Sequence, residues 1–205
     1  MENQKTKLEN DVLEVLTSGI DKTAGSLGVM IDQDVEIMEI ELKQDPSFLL
    51  NPEGGSKENM ILLRTQLIGD VAGLNYFLIS EKEAKAISGA IFSNEFEGEV
   101  ADLKELMTEF LKEVENVMAA ATISELADKL DMSMFGDVPR IQSLSLKEIS
   151  EIMNTESNQF GTAVQLNCRL SVPGLQIYPV YVWLFNKSFL DTIEGKKSEE
   201  TIEKV

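Results

Sequence analysis

LKEVENVMAAATISELADKLDMSMFGDVP, residues Leu111–Pro139, is the stretch on which the reading of this chain turns. Within it Glu113 and Asn116 stand three residues apart, and Pro139 follows Asn116 after 22 intervening residues. Residues at i and i+3 share one face of a helix. An exposed carboxamide can hold a water through its oxygen and a phosphoryl oxygen through its nitrogen. An exposed carboxylate beside it can ion-pair with a lysine of a partner. That chemistry suits the removal of a phosphoryl group from another protein. An isolated E-x-x-N is far more often a solvated helix face, so the weight falls on what surrounds it.

Immediately around it, EVADLKELMTEFLKEVENVMAAATISELADKL (Glu99–Leu130) reads as one long amphipathic helix. At about 100° per residue, Leu103, Met107, Phe110, Val114, Val117 and Ala121 fall in one arc, predicted to face the core. Asp102, Glu105, Glu109, Glu113 and Asn116 fall in a second arc, predicted to be exposed or to edge a groove. Stacked carboxylates repel by a few tenths of a kcal/mol per pair (roughly), which any surface tolerates and a surface awaiting positive charge would use.

Further out, the chain carries the same order of elements twice. In the first half, the segment from about Leu8 to Met30 has a helical apolar period, interrupted by Gly19, Gly25 and Gly28. DVEIMEIELK (Asp34–Lys43) alternates like a half-buried strand, and NPEGGSKEN (51–59) is a loop. MILLRTQLIG and GLNYFLIS form a predicted hairpin, followed by the helix EKEAKAISGAIF with Ser80 as its N-cap. In the second half come the long helix, the strand VPRIQSLSL, a hairpin of FGTAVQLNCRLSV and GLQIYPVYVWLF turning at Pro173-Gly174, and a closing helix NKSFLDTIEG ended by Gly195. Glu14 corresponds to Glu113, Leu67 to Leu170 and Ser80 to Asn186, at offsets of 99, 103 and 106. LKEISEIMNTESN (Leu146–Asn158) has no counterpart and reads as a short helix or loop insertion. The expected fold class is therefore α/β (α+β): a pseudo-twofold, duplicated helix–strand–hairpin–helix unit forming a mostly antiparallel sheet flanked by helices. We expect one domain over 1–195, with repeats at about 8–92 and 99–195, and a charged tail over 196–205.

Composition narrows the chemistry. The 205 residues hold 18 basic and 36 acidic side chains, a net charge of −18, and no histidine. Such charge opposes nucleic acid and anionic membrane surfaces and favours a basic or metal-bearing partner. Without histidine there is no Ser-His-Asp or Cys-His nucleophile and no His-based zinc site. Cys168, the single cysteine, reads as a buried structural thiol. No apolar run of membrane-spanning length and no secretory h-region are seen, so the expected location is the cytoplasm.

On Glu113, Asn116 and Pro139, and on the doubled architecture, the chain resembles the CheC, CheX and FliY family, phosphatases of the chemotaxis response regulator CheY, and CheC most of all. Their signature is [Asp/Ser]-x3-Glu-x2-Asn-x22-Pro, usually present twice. Here the first position is Glu109 in place of Asp or Ser. In the first half Asn10 stands at that position, Glu14 fits the glutamate, Thr17 replaces the asparagine, and Ile40 falls where proline would be. The resemblance implies one working site of two. It implies that a phosphorylated CheY-like response regulator would bring the aspartyl phosphate, Mg²⁺ and a lysine. Glu113 would dock on that lysine and Asn116 would orient the attacking water, with no cofactor held by this chain itself. CheD is a further partner in related CheC proteins. The same residues leave a second reading open: a non-catalytic module, like CheC or the FliM middle domain, that binds a response regulator, CheD or the flagellar switch.

Overall fold

The computed structural model describes residues 2–43, 59–92 and 100–203. The chain runs α1 (Glu2–Ile31), β1 (Glu36–Lys43), β2 (Met60–Gly69), β3 (Gly73–Ser80), α2 (Glu81–Phe92), α3 (Val100–Leu130), β4 (Met134–Gly136), β5 (Arg140–Leu144), α4 (Leu146–Phe160), β6 (Thr162–Ser171), β7 (Val180–Asn186) and α5 (Lys187–Glu203). Among the described residues the strands form one antiparallel sheet of seven, ordered β1-β6-β7-β3-β2, with β4 and β5 both on the outer edge of β2. This is the mostly antiparallel, helix-flanked α/β fold expected from the sequence. The predicted loop at 51–58 lies outside the described residues.

The duplication is written into the pairing. Exchanging β1, β2 and β3 with β5, β6 and β7 reverses the strand order and leaves it unchanged. At the centre Tyr76 faces Val182, residues 106 apart, which is the separation of Ser80 and Asn186. The pseudo-twofold axis therefore passes between β3 and β7. The first strand of each half pairs across the molecule, β1 with β6 and β5 with β2, so neither half closes its own sheet. That exchange gives both halves one common core.

On one face of the sheet α1 and α3 pack against each other, with α2 and α5 beside them, over Leu63, Phe77, Leu166, Trp183 and Phe185. The glycines of α1 do not break it. Gly19 lies where a Cβ would meet Thr122 Cγ2 at 3.0 Å, so its lack of a side chain permits the close approach of the two helices. Thr23 and Thr122, 99 residues apart as Glu14 and Glu113 are, share a 2.6 Å hydroxyl–hydroxyl hydrogen bond between the two helices. Successive contacts, Ser18 with Glu125 and Thr23 with Met118, show the helices running antiparallel.

Several expectations are corrected. The insertion at Leu146–Asn158 is a full 15-residue helix, α4, with a capping box between Ser145 and Glu148. It covers the opposite face of the sheet, burying Ile149 and Met153 against Leu62, Leu74, Tyr76 and Val182. The strip of β6 equivalent to Leu62, Arg64 and Gln66 of β2 carries Gln165, Asn167 and Arg169. β4 is a further strand, too short at three residues to show a period. Helix α5 continues through Gly195 to Glu203, because one glycine costs only about 1 kcal/mol and helix-forming Lys, Ser and Glu residues follow it. The second hairpin turns over residues 173–176 but is held by a Val172–Ile177 bridge, so β7 begins only at Val180.

Candidate functional site

Helix α3 positions the pair. Its buried residues are Leu111, Val114, Glu115, Met118, Ala119, Thr122, Ile123, Leu126 and Leu130, whereas Val117 and Ala121 are only half-buried. The buried side is thus wider than the predicted arc and turned away from it. The cause is double packing: α3 presents one flank to the sheet and another to α1, so a single apolar stripe does not describe it. Glu109, Glu113 and Asn116 are exposed on the remaining side. Among the described residues no hydrogen bond or ion pair engages the side chains of Glu113 and Asn116. Glu109 is held by Lys112, Nζ to Oε1 at 2.7 Å, an exposed pair of modest strength that offsets its charge.

Pro139 is buried at the head of β5, level with Thr65 of β2. Proline at the start of an edge strand sacrifices no ladder hydrogen bond that the sheet needs. Just before it, Asp137 takes over the pairing: its N–H donates to Gln66 O at 2.9 Å and its Oδ1 accepts from Gln66 N–H at 2.6 Å. Ile40, opposite Cys168, occupies in the first half the place that Pro139 holds in the second.

Asn10 and Glu14 are exposed on α1, and Thr17 is half-buried. The structure does not bring them to Glu113 and Asn116. Each glutamate lies nine residues before the Thr23–Thr122 contact on antiparallel helices, so the two places are separated by roughly 27 Å along the helix axes.

Elsewhere the chemistry is structural. Cys168 is buried and its thiol is pushed up to about 12, chiefly by burial and further by Asp21. Trp183 is in the core. A groove of about 810 Å³, lined by Ile61, Lys85, Phe92, Lys104, Met107 and Ile141 among others, opens on the side of α3 away from Glu113 and Asn116. Among the described residues no cluster of three or more Cys, Asp or Glu could hold a metal ion, and no helix is long and apolar enough to cross a membrane.

Sequence reasoning missed Glu115. Fully buried, it accepts a hydrogen bond from Thr65 Oγ1 at 3.0 Å, and burial raises its carboxyl well above the ordinary 4.5. The signal was present: Leu111, Glu115, Met118 and Thr122 lie at helical spacing on one stripe.

No family model and no curated relative matches the sequence. Solved structures do match in shape. FliY of Thermotoga maritima is 12% identical, with 94% of this chain and 96% of that one covered at a TM-score of 0.63. CheX in the CheX–CheY–BeF3–Mg²⁺ complex of Borrelia burgdorferi is 16% identical, with 83% and 97% covered at 0.58. The FliM middle domain of H. pylori is 8% identical, with 92% and 97% covered at 0.51. The fold is that of CheX, FliY and the FliM middle domain. At such identities this likeness establishes the architecture alone.

Proposed function

We propose that this protein is a phosphatase for the aspartyl phosphate of a CheY-like response regulator, working in the manner of CheC through Glu113 and Asn116. The observation that carries the reading is that both side chains are exposed, one turn apart, on a helix whose other sides are clamped by the sheet and by α1. Phosphoryl transfer needs positioning and charge neutralisation more than a strong base. Glu113 would bind the regulator's lysine, and Asn116 would hold water in line with the phosphorus. The regulator would supply the phosphoryl group and Mg²⁺. Lys112 keeps Glu109 from adding an unpaired charge beside that water. A CheX of the same fold is known in complex with CheY, which supports a partner of this class. CheD is proposed as a second partner, and the cytoplasm as the place where they meet.

The deciding experiment follows phosphate loss from the phosphorylated response regulators of the same organism. Wild-type protein should accelerate Mg²⁺-dependent loss from one of them. Asn116→Ala should abolish the acceleration while changing unfolding free energy by less than about 0.5 kcal/mol, because the side chain is exposed. A wild-type protein without effect on every regulator would refute the reading. One observation favours a second reading, a binding module without hydrolysis: the FliM middle domain has the same fold, and here the signature departs at Glu109 and Thr17. In that case Asn116→Ala would leave phosphate lifetime and partner binding alike unchanged.

A further inference from the structure

Between the two proposed working residues lies a side chain that points the other way. Glu115 is 0% exposed, beneath the helix surface that carries Glu113 and Asn116. Its Oε1 accepts from Thr65 Oγ1 at 3.0 Å, and Thr65 is itself 1% exposed on β2, level with Pro139. Thr65 pairs with Asn75 of β3, and Asn75 with Trp183 of β7, so a buried polar row crosses the sheet below α3. In it Glu115 Oε2 and Asn75 Oδ1 have no hydrogen-bond partner among the described residues. Burying a carboxyl group in such surroundings is costly, and Met118 and Ala119 show that apolar residues fit the same side of the helix. A costly group where a cheap one would pack calls for a reason.

We propose that Glu115 is the positioning residue of this site: through Thr65 it locks α3 against rotation about its own axis, and so aims Glu113 and Asn116. The inference rests on reading that pair as the working residues. Apolar packing is non-directional and tolerates small rotations, whereas a hydrogen bond across the helix–sheet interface does not. A rotation of about 20° would swing a side-chain tip lying 5–6 Å from the helix axis by roughly 2 Å. A displacement of only about 1 Å at a reacting centre can cost on the order of a hundredfold in rate. Desolvation raises the Glu115 carboxyl well above its ordinary range and so favours its neutral form, against the opposing pull of the Thr65 hydrogen bond. Tyr181, whose own hydroxyl is raised chiefly by burial, lies within electrostatic reach of it. Glutamine is therefore the conservative replacement, since it keeps shape, neutrality and an acceptor for Thr65.

The test compares Glu115→Gln, Glu115→Ala and Thr65→Val, all in the full chain. One measurement is kinetic, using the phosphorylated response regulator. The other is ¹⁵N relaxation of the Asn116 side-chain amide and the α3 backbone, which needs no activity. Glu115→Gln should keep kcat within about twofold of wild type. Glu115→Ala and Thr65→Val should lose at least about tenfold in kcat with KM unchanged, and should loosen the Asn116 amide. Thr65→Val breaks the same link from the sheet side, so the test survives if Glu115→Ala fails to fold. Folded Ala and Val variants with wild-type kcat and unchanged amide order would overturn the proposal, as would a Gln variant as impaired as the Ala variant. A wild-type protein that is inactive on every regulator refutes the phosphatase reading, and the relaxation data then decide the positioning role alone.

Discussion

Glutamine at position 115 should stabilise the protein at neutral pH and lose that advantage in acid. In the fold, burial holds the Glu115 carboxyl neutral well above 4.5, whereas in the unfolded chain it ionises near that value. Between the two, the unfolded state has released its proton and the folded state has not, so each pH unit favours unfolding by about 1.4 kcal/mol. The stability that the neutral carboxyl contributes is complete below pH 4.5 and drains away as the pH rises toward the raised folded value. Glutamine does not titrate and keeps the Thr65 hydrogen bond, so the difference between Glu115→Gln and wild type isolates this one group from the other carboxylates. For each pH unit between the unfolded and the raised folded value the difference should grow in favour of glutamine by about 1.4 kcal/mol. With a urea slope of about 2.5 kcal/mol/M, the relative shift in midpoint is about 0.6 M per pH unit. Urea titrations of both proteins at half-unit steps from pH 4.5 to pH 8 provide the measurement. A stability difference that stays flat with pH would show that the carboxyl titrates alike in both states, and the buried, neutral Glu115 would have to be abandoned.

Two further outcomes are expected. Gly69 ends β2 with φ +137°, and a Cβ there would lie 2.2 Å from Ser133 O, so Gly69→Ala should cost at least about 2 kcal/mol and lower the midpoint of thermal unfolding. Unchanged unfolding would mean that the β2–β4 edge opens without cost. Tyr76 donates its hydroxyl to Glu156 Oε2 at 2.5 Å, the same oxygen that takes Arg64 Nε at 2.9 Å, and together these hold α4 on the sheet. Tyr76→Phe should cost about 1–2 kcal/mol. A double-mutant cycle with Glu156→Ala should show the two changes to be non-additive, and additive costs would contradict the link.

Much of the fold is legible locally. The hairpin of β2 and β3 follows from apolar runs bounded by turn residues, and its limits, Met60–Gly69 and Gly73–Ser80, are those read from the sequence. The Ser80 cap is equally local: Ser80 Oγ accepts from Glu83 N–H at 3.1 Å while Glu83 Oε2 accepts from Ser80 N–H at 2.9 Å. The exposure of Glu109, Glu113 and Asn116 follows from helical spacing too. The orientation of the core side of α3 does not. Val117 and Ala121 are apolar yet only half-buried, and Glu115 and Thr122 are polar yet buried, because two neighbours rather than one surround this helix.

Most of the elements, their repetition and the face that carries Glu113 and Asn116 were legible in the sequence, since these depend on spacing within a single segment. That β1 pairs with β6 and β5 with β2, that α4 covers the second face of the sheet, and that Glu115 is drawn beneath the site emerged only from the folded arrangement. The cause is common to all three. Periodicity reports which side of a segment avoids water, but not which distant segment comes to cover it, and a buried polar group shows its purpose only when its partner across the fold is in place.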